Sequence, residues 1–137
     1  ASDVYKRQHL KQREFRAARR AFQRAIRVHP REAAGHIGLG LAQVGLQEWE
    51  KAVDSFASAL KHDDTNRTAY RNLAYLYLTE KSVRDVVERQ LESLVAVASP
   101  EAGERFRRFI AFLSRLRSTP VKEFDAVFQQ FEIGSQP

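Results

Sequence analysis

The sequence predicts an all-α stack of antiparallel helix hairpins, closed at its C-terminal end by a degenerate helix pair. The first sign is an internal repeat at an offset of 34 residues: Phe15, Ala18, Phe22, Ala25 and Ile26 map onto Trp49, Ala52, Phe56, Ala59 and Leu60. By the same step His36, Leu39, Gly40 and Gln43 map onto Tyr70, Leu73, Ala74 and Tyr77. The second sign is that these residues fall on single faces at 100° per residue, as amphipathic helices require. The third is punctuation between the segments by Pro30, Gly45, Asp63–Asn66 and Ser99–Pro100. A fixed period of this length marks units that bury their apolar faces only against their neighbours. It argues against an enzyme.

The elements follow in order. Residues 12–28 form an amphipathic helix with Phe15, Ala18, Phe22, Ala25 and Ile26 inward, ended by Pro30, which supplies no N–H. Residues 33–45 form the next helix, with Gly45 at the turn, and 48–62 return antiparallel through Trp49, Ala52, Val53, Phe56, Ala59 and Leu60. Asp63-Asp64-Thr65-Asn66 supplies turn and cap oxygens for a helix over 67–79. Its partner spans 83–98, with Val83, Val86, Val87, Leu91, Leu94 and Val95 inward. Ser99-Pro100-Glu101 is a helix start with a capping hydroxyl, a Pro in the first turn and a carboxylate at the positive end. That helix reaches about Arg117, and Ser118-Thr119-Pro120 repeats the signal before a short helix carrying Phe124, Val127, Phe128 and Phe131. Six of the nine phenylalanines lie between Phe106 and Phe131, enough apolar surface to cap the stack. The expected divisions are a non-native or disordered leader 1–8, repeats 9–98, capping helices 99–131 and a frayed tail 132–137.

The run Leu39-Gly40, Ala52, Phe56 and Ala59 resembles the tetratricopeptide repeat, a helix–turn–helix unit with Leu-Gly, Ala-x-x-x-Phe and a closing Pro. Pro30 closes the first unit as that pattern expects; Asp64 stands there in the second, and Pro100 comes late in the third. The resemblance covers about residues 12–98 and departs from the pattern at His36, Gln43, Val86, Gln90 and Ser93. It implies a right-handed α-solenoid whose first helices line a concave groove for extended peptides or helices. The groove residues would be Ala34, Ile37, Leu41 and Val44, then Thr68, Arg71, Tyr75 and Leu78. Helix 33–45 is apolar nearly all round, so a second cover is expected, either a ligand segment or upstream helices. Some family members grip a terminal carboxylate. Only Arg71 and Asn72 resemble that clamp, and Gly38 and Leu41 offer no donor, so an apolar or amphipathic peptide fits better, with Arg71 paired to an acid.

Composition bounds the rest. At 137 residues, 43% hydrophobic and 29% charged, the chain suits one helical domain. Zero cysteines exclude disulfides and thiolate chemistry. No run is long enough to span a membrane and no secretory signal is visible. The compartment stays open between cytoplasm, which is favoured, and periplasm. A start at Ala1 with zero methionines suggests a fragment or a processed piece, and the expected source is a longer bacterial chain of the family it resembles. The segment Ser2–Gln8 resembles an adapter-derived translation, so Tyr5, Lys6 and Arg7 are assigned no function; the alternative is a natural helix continuing into Leu10.

Candidate chemistry is thin. His9, His29, His36 and His62 include no i, i+4 metal pair, so no metal or cofactor is assigned. Asp63-Asp64 reads as turn and cap, and the glycines from Gly35 to Gly45 lack the GK[ST] ending and preceding strand of a phosphate loop. Residues 1–30 hold nine Lys and Arg against two acids. Arg13, Arg16, Arg20, Arg24 and Arg27 fall within an arc of about 80° opposite the core face. Such a stripe suits an acidic protein, nucleic acid or anionic lipid, or equally a solvated outer face in an Arg-rich chain, and nucleic acid would also want interleaved aromatics. The expected function is a non-catalytic scaffold or adaptor that binds a protein segment in the groove. The alternatives are the repeat segment of a larger enzyme, such as a transferase with its catalytic domain upstream, and a binder of acidic partners or nucleic acid through the arginines. Oligomerisation is left open.

Overall fold

The computed structural model describes residues 2–133, which form seven α-helices: α1 (Ser2–Val28), α2 (Ala33–Gly45), α3 (Trp49–His62), α4 (Arg67–Thr79), α5 (Arg84–Val97), α6 (Pro100–Leu116) and α7 (Phe124–Phe128). Short 3₁₀ turns at Lys81–Val83 and Val121–Glu123 lead into α5 and α7. There is no strand among the described residues.

The helices stack in chain order, and α2 is clamped on two sides because its glycines omit side chains there. A Cβ on Gly40 would meet the Phe56 ring of α3 at 2.7 Å; on Gly38 and Gly45 it would meet the Phe22 and Phe15 rings of α1 at 2.2 and 2.5 Å. Gly45 is therefore a seat for Phe15 rather than the turn residue the sequence suggests. The left-handed residue of the α2–α3 turn is Gln47, at φ 58°. Two polar contacts fix the same packing: Ser55 Oγ donates to Gln43 Oε1 at 2.6 Å inside the hairpin, and Arg19 Nη1 donates to both Glu48 carboxylate oxygens at 2.8 Å.

Capping follows the sequence closely. The Asn66 side chain accepts from the Ala69 amide at 3.0 Å, Asp63 gathers Thr65 and Asn66, and Ser99 accepts from the Ala102 amide ahead of Pro100. These bonds satisfy amides that the first helical turn leaves open. The main core runs from Ala52 through α4 and α5 to Phe131 and Ile133, with Phe56, Leu60, Tyr70, Leu91 and Phe109 fully covered.

The two ends of the chain differ from expectation. Residues 2–8, expected as a separate leader, continue α1 without a break. Gln12 Nε2 donates to the Gly45 carbonyl at the far end of α2, so α1 runs on beyond its neighbour and its first turns are exposed. At the other end the degenerate pair is a long α6 and an α7 of only five residues. Phe131 lies beyond that short helix rather than inside it. The tail is not frayed at its start: Ile133 is buried, and Arg105 and Arg108 donate to the Ile133 and Glu132 carbonyls at 2.6 and 3.1 Å. Residues 134–137 of that expected tail lie outside the described residues.

Candidate functional site

The predicted groove residues divide according to what the C-terminal segment does. Along α4, Arg71 Nη2 donates to Asp125 Oδ1 at 2.7 Å, and its guanidinium sits 5.3 Å from the centre of the Phe124 ring. Tyr75 meets Phe124 edge-on at 5.1 Å, and Arg67 lies 4.7 Å over Phe128. Thus α7 lies along the α4 face that would line the groove. The acid expected to pair with Arg71 comes from the chain itself. Phe124, Phe128 and Phe131 are buried in this arrangement, Phe124 against Phe128, and Phe128 and Phe131 over Phe112 and Phe109 from α6. Leu78, read as a groove anchor, is buried in the core. Thr68 is exposed and its carbonyl accepts from the Asn72 side chain.

Along α2 the strip stays open. Leu41 is 44% exposed and Ala34 is exposed, with Ile37 and Val44 half-buried beside them. Tyr75, one repeat after Leu41, keeps 40% exposure at the edge of the covered region. The open apolar surface is therefore the strip on α2, with Tyr75 exposed at the equivalent position of α4.

Two polar clusters lie outside the groove. Arg105 is buried. Its Nε holds the Ile133 carbonyl, its Nη1 pairs with Asp64 and its Nη2 faces Glu101 at 3.6 Å, tying the last described residues to the α3–α4 turn. Burial pushes the Tyr70 hydroxyl far above the ordinary range, and that hydroxyl donates to the Asp64 carbonyl at 2.7 Å. In the second cluster Tyr77 donates to Glu88 Oε1 at 2.6 Å, and Arg117 donates to both the Tyr77 oxygen and Glu88 at 2.7 Å. The bond from Tyr77 first, and the Arg117 bond and charge after it, hold the Glu88 carboxyl below its ordinary value.

Tertiary structure also pairs two histidines that sequence spacing kept apart. His36 and His62 stack with ring centres 5.3 Å apart, and His36 Nε2 contacts the Pro30 carbonyl at 2.9 Å. Partial burial, then His36, Lys61 and Arg31, hold His62 below its ordinary pKa. Among the described residues no group of three or more His, Asp or Glu converges as a metal site. No helix there is long and apolar enough to cross a membrane.

A family model described as tetratricopeptide repeat matches residues 7–67 and, overlapping them, 38–85. The chain belongs to the tetratricopeptide repeat family. Comparison with curated proteins and with solved structures gives no match. The matched segments cover α1 through the start of α5, the part of this tetratricopeptide repeat protein where the 34-residue register is cleanest. The segment 121–133, which fills the groove over α4, lies outside them. Repeats of this family mediate protein–protein interaction and are typically non-catalytic modules.

Proposed function

We propose that this chain is a protein-binding module whose open groove strip, Ala34, Ile37, Leu41 and Val44 with the free edge of Tyr75, takes an apolar or amphipathic segment of a partner protein. One observation carries this reading. Leu41 and Tyr75 occupy equivalent repeat positions and both remain exposed, although Phe124 packs on Tyr75 and Asp125 pairs with Arg71 on α4. Solvent-facing apolar side chains set between helices of a rigid stack suit the insertion of a helix or extended peptide. The rest of the groove accepts Phe124 and Asp125 of the chain itself, so an aromatic with a following acid is a chemistry this face holds well.

The test is affinity capture of partners with Leu41→Glu. A charge placed on the strip should abolish capture while circular dichroism keeps its helical signal, because Leu41 is exposed and its replacement leaves the core intact. Undiminished capture by this variant would remove the groove reading.

A further inference from the structure

The repeat register makes two anchors of the stack comparable. Tyr70 stands one 34-residue step after His36, and Asp64 stands one such step after Pro30. In the later unit the Tyr70 hydroxyl donates to the Asp64 carbonyl at 2.7 Å. In the earlier unit His36 Nε2 meets the Pro30 carbonyl at 2.9 Å. The same bond thus ties each first helix to the turn before it. A carbonyl only accepts, so Nε2 carries the hydrogen and Nδ1 is the nitrogen left to take a proton. Burial pushes the Tyr70 hydroxyl still further from ionisation, so that anchor is blind to acid. Histidine in the equivalent place is not.

The surroundings of the two anchors differ as well. The Tyr70 ring packs against Phe109 and Phe131, which carry no charge. The His36 ring stacks on His62, with centres 5.3 Å apart and planes 27° apart. His36 belongs to the first turn of α2 and His62 is the last residue of α3, so the stack joins those two helix ends. The charges that act on it are cationic, Arg31 from the α1–α2 turn and Lys61 from α3. Among the described residues the acids nearest in sequence are engaged elsewhere. Glu32 faces His29 at 3.7 Å, Asp63 accepts from Thr65 and Asn66, and Asp64 pairs with Arg105. A helix C-terminus by itself favours a positive charge. Partial burial first, and then His36, Lys61 and Arg31, outweigh that and hold His62 below its ordinary value.

We propose that His36 and His62 form an acid-sensitive joint between the start of α2 and the end of α3. With at most one ring charged, the stack holds. With both charged, two cations in contact repel beside Arg31 and Lys61, and the exposed His62 swings into solvent. The half-buried His36 keeps its bond to Pro30, because a charged ring still donates from Nε2. Acid therefore parts the end of α3 from the start of α2 while the Pro30 turn stays anchored. His62 binds its proton less tightly in the fold than in the unfolded chain. Its contribution is full above pH 6.5 and declines as the pH falls from there toward the lowered folded value.

The experiment follows thermal melting of the full chain from about pH 7.5 down to about pH 5, inside the range where histidine titrates. That range stops short of the one in which Glu88 titrates. The variants are His36→Gln, His62→Gln, the two combined, and His36→Tyr, which installs the residue that the next repeat uses there. Over this range wild type should lose at least about 2 °C more than any of them. The interaction between the two positions should also change sign, stabilising at the upper pH and destabilising at the lower. A stack with a structural role alone would keep one sign throughout. His29→Gln is the control, since the contact of His29 with Glu32 strengthens in acid and works in the opposite direction. Hydrogen exchange, corrected for the intrinsic effect of pH, should quicken in acid at residues 59–63 of wild type and not of His62→Gln. The proposal is overturned by parallel pH profiles for wild type and the variants, or by an interaction of constant sign. It is equally overturned if the quickened exchange persists in His62→Gln. None of these readouts involves Leu41, so the outcome is independent of the groove.

Discussion

Glu88 shows how one side chain carries a pH dependence. In the folded state it accepts from Tyr77 and Arg117, and these bonds hold its pKa below 4.5. The folded form therefore binds this proton less tightly than the unfolded chain. The contribution is fully present above pH 4.5 and is lost as the pH falls through the depressed folded value. Glu88→Gln should thus melt at a lower temperature than wild type at neutral pH, and the gap should close as the pH drops below 4.5. A gap that stays constant with pH would assign the loss to packing instead. The glycines of α2 act at the same scale. Gly38, Gly40 and Gly45 matter for what faces them, since each seats a phenylalanine ring that a Cβ would strike.

At the level of elements, α7 is too short to be stable alone, and its place is set by what it covers. Phe128 is 2% exposed, packs against Phe112 and Phe131, and lies under the Arg67 guanidinium. Phe128→Ala should cost about 3–5 kcal/mol, the range for emptying a buried aromatic site. Chemical denaturation would read that loss, and a cost below about 1 kcal/mol would mean that α7 contributes little packing. This element was only partly legible beforehand. Phe124, Val127 and Phe128 are spaced as a helix, but nothing local says that they turn back onto α4. That outcome depends on Arg71, Tyr75 and Asp125, residues up to 54 positions apart that meet only after the stack forms. The groove was legible in the same partial way. The register located Leu41 and Tyr75, whereas the occupation of the Arg71 site by Asp125 and the burial of Leu78 come from long-range packing.

Across the whole molecule, protection is uneven along the stack. α3 is packed by α2, α4 and α5 and buries Ala52, Val53, Phe56, Ala59 and Leu60 completely, whereas α1 packs mainly on α2 and its residues 3–11 are exposed. Amides in α3 should exchange with solvent hydrogen only through large-scale opening, and those before Gln12 should exchange fastest among the helices. Hydrogen-exchange mass spectrometry checks this directly; slow exchange over residues 3–11 would mean that the first turns of α1 are covered in solution.

The sequence by itself determined the repeat register, the helix boundaries from α2 to α6, the caps at Asn66 and Ser99, and the family. All of these arise from contacts within a few residues or from one fixed period. Only the tertiary structure decided which faces stay open. Exposure is what remains after every element has found its neighbour: the segment 121–133 packs along part of α4, while α2 keeps an apolar strip and, among the described residues, Arg13, Arg16, Arg20, Arg24 and Arg27 of α1 pair with no acidic side chain. The 34-residue period names the positions that could bind, and the packing of the rest of the chain selects those still free to do so.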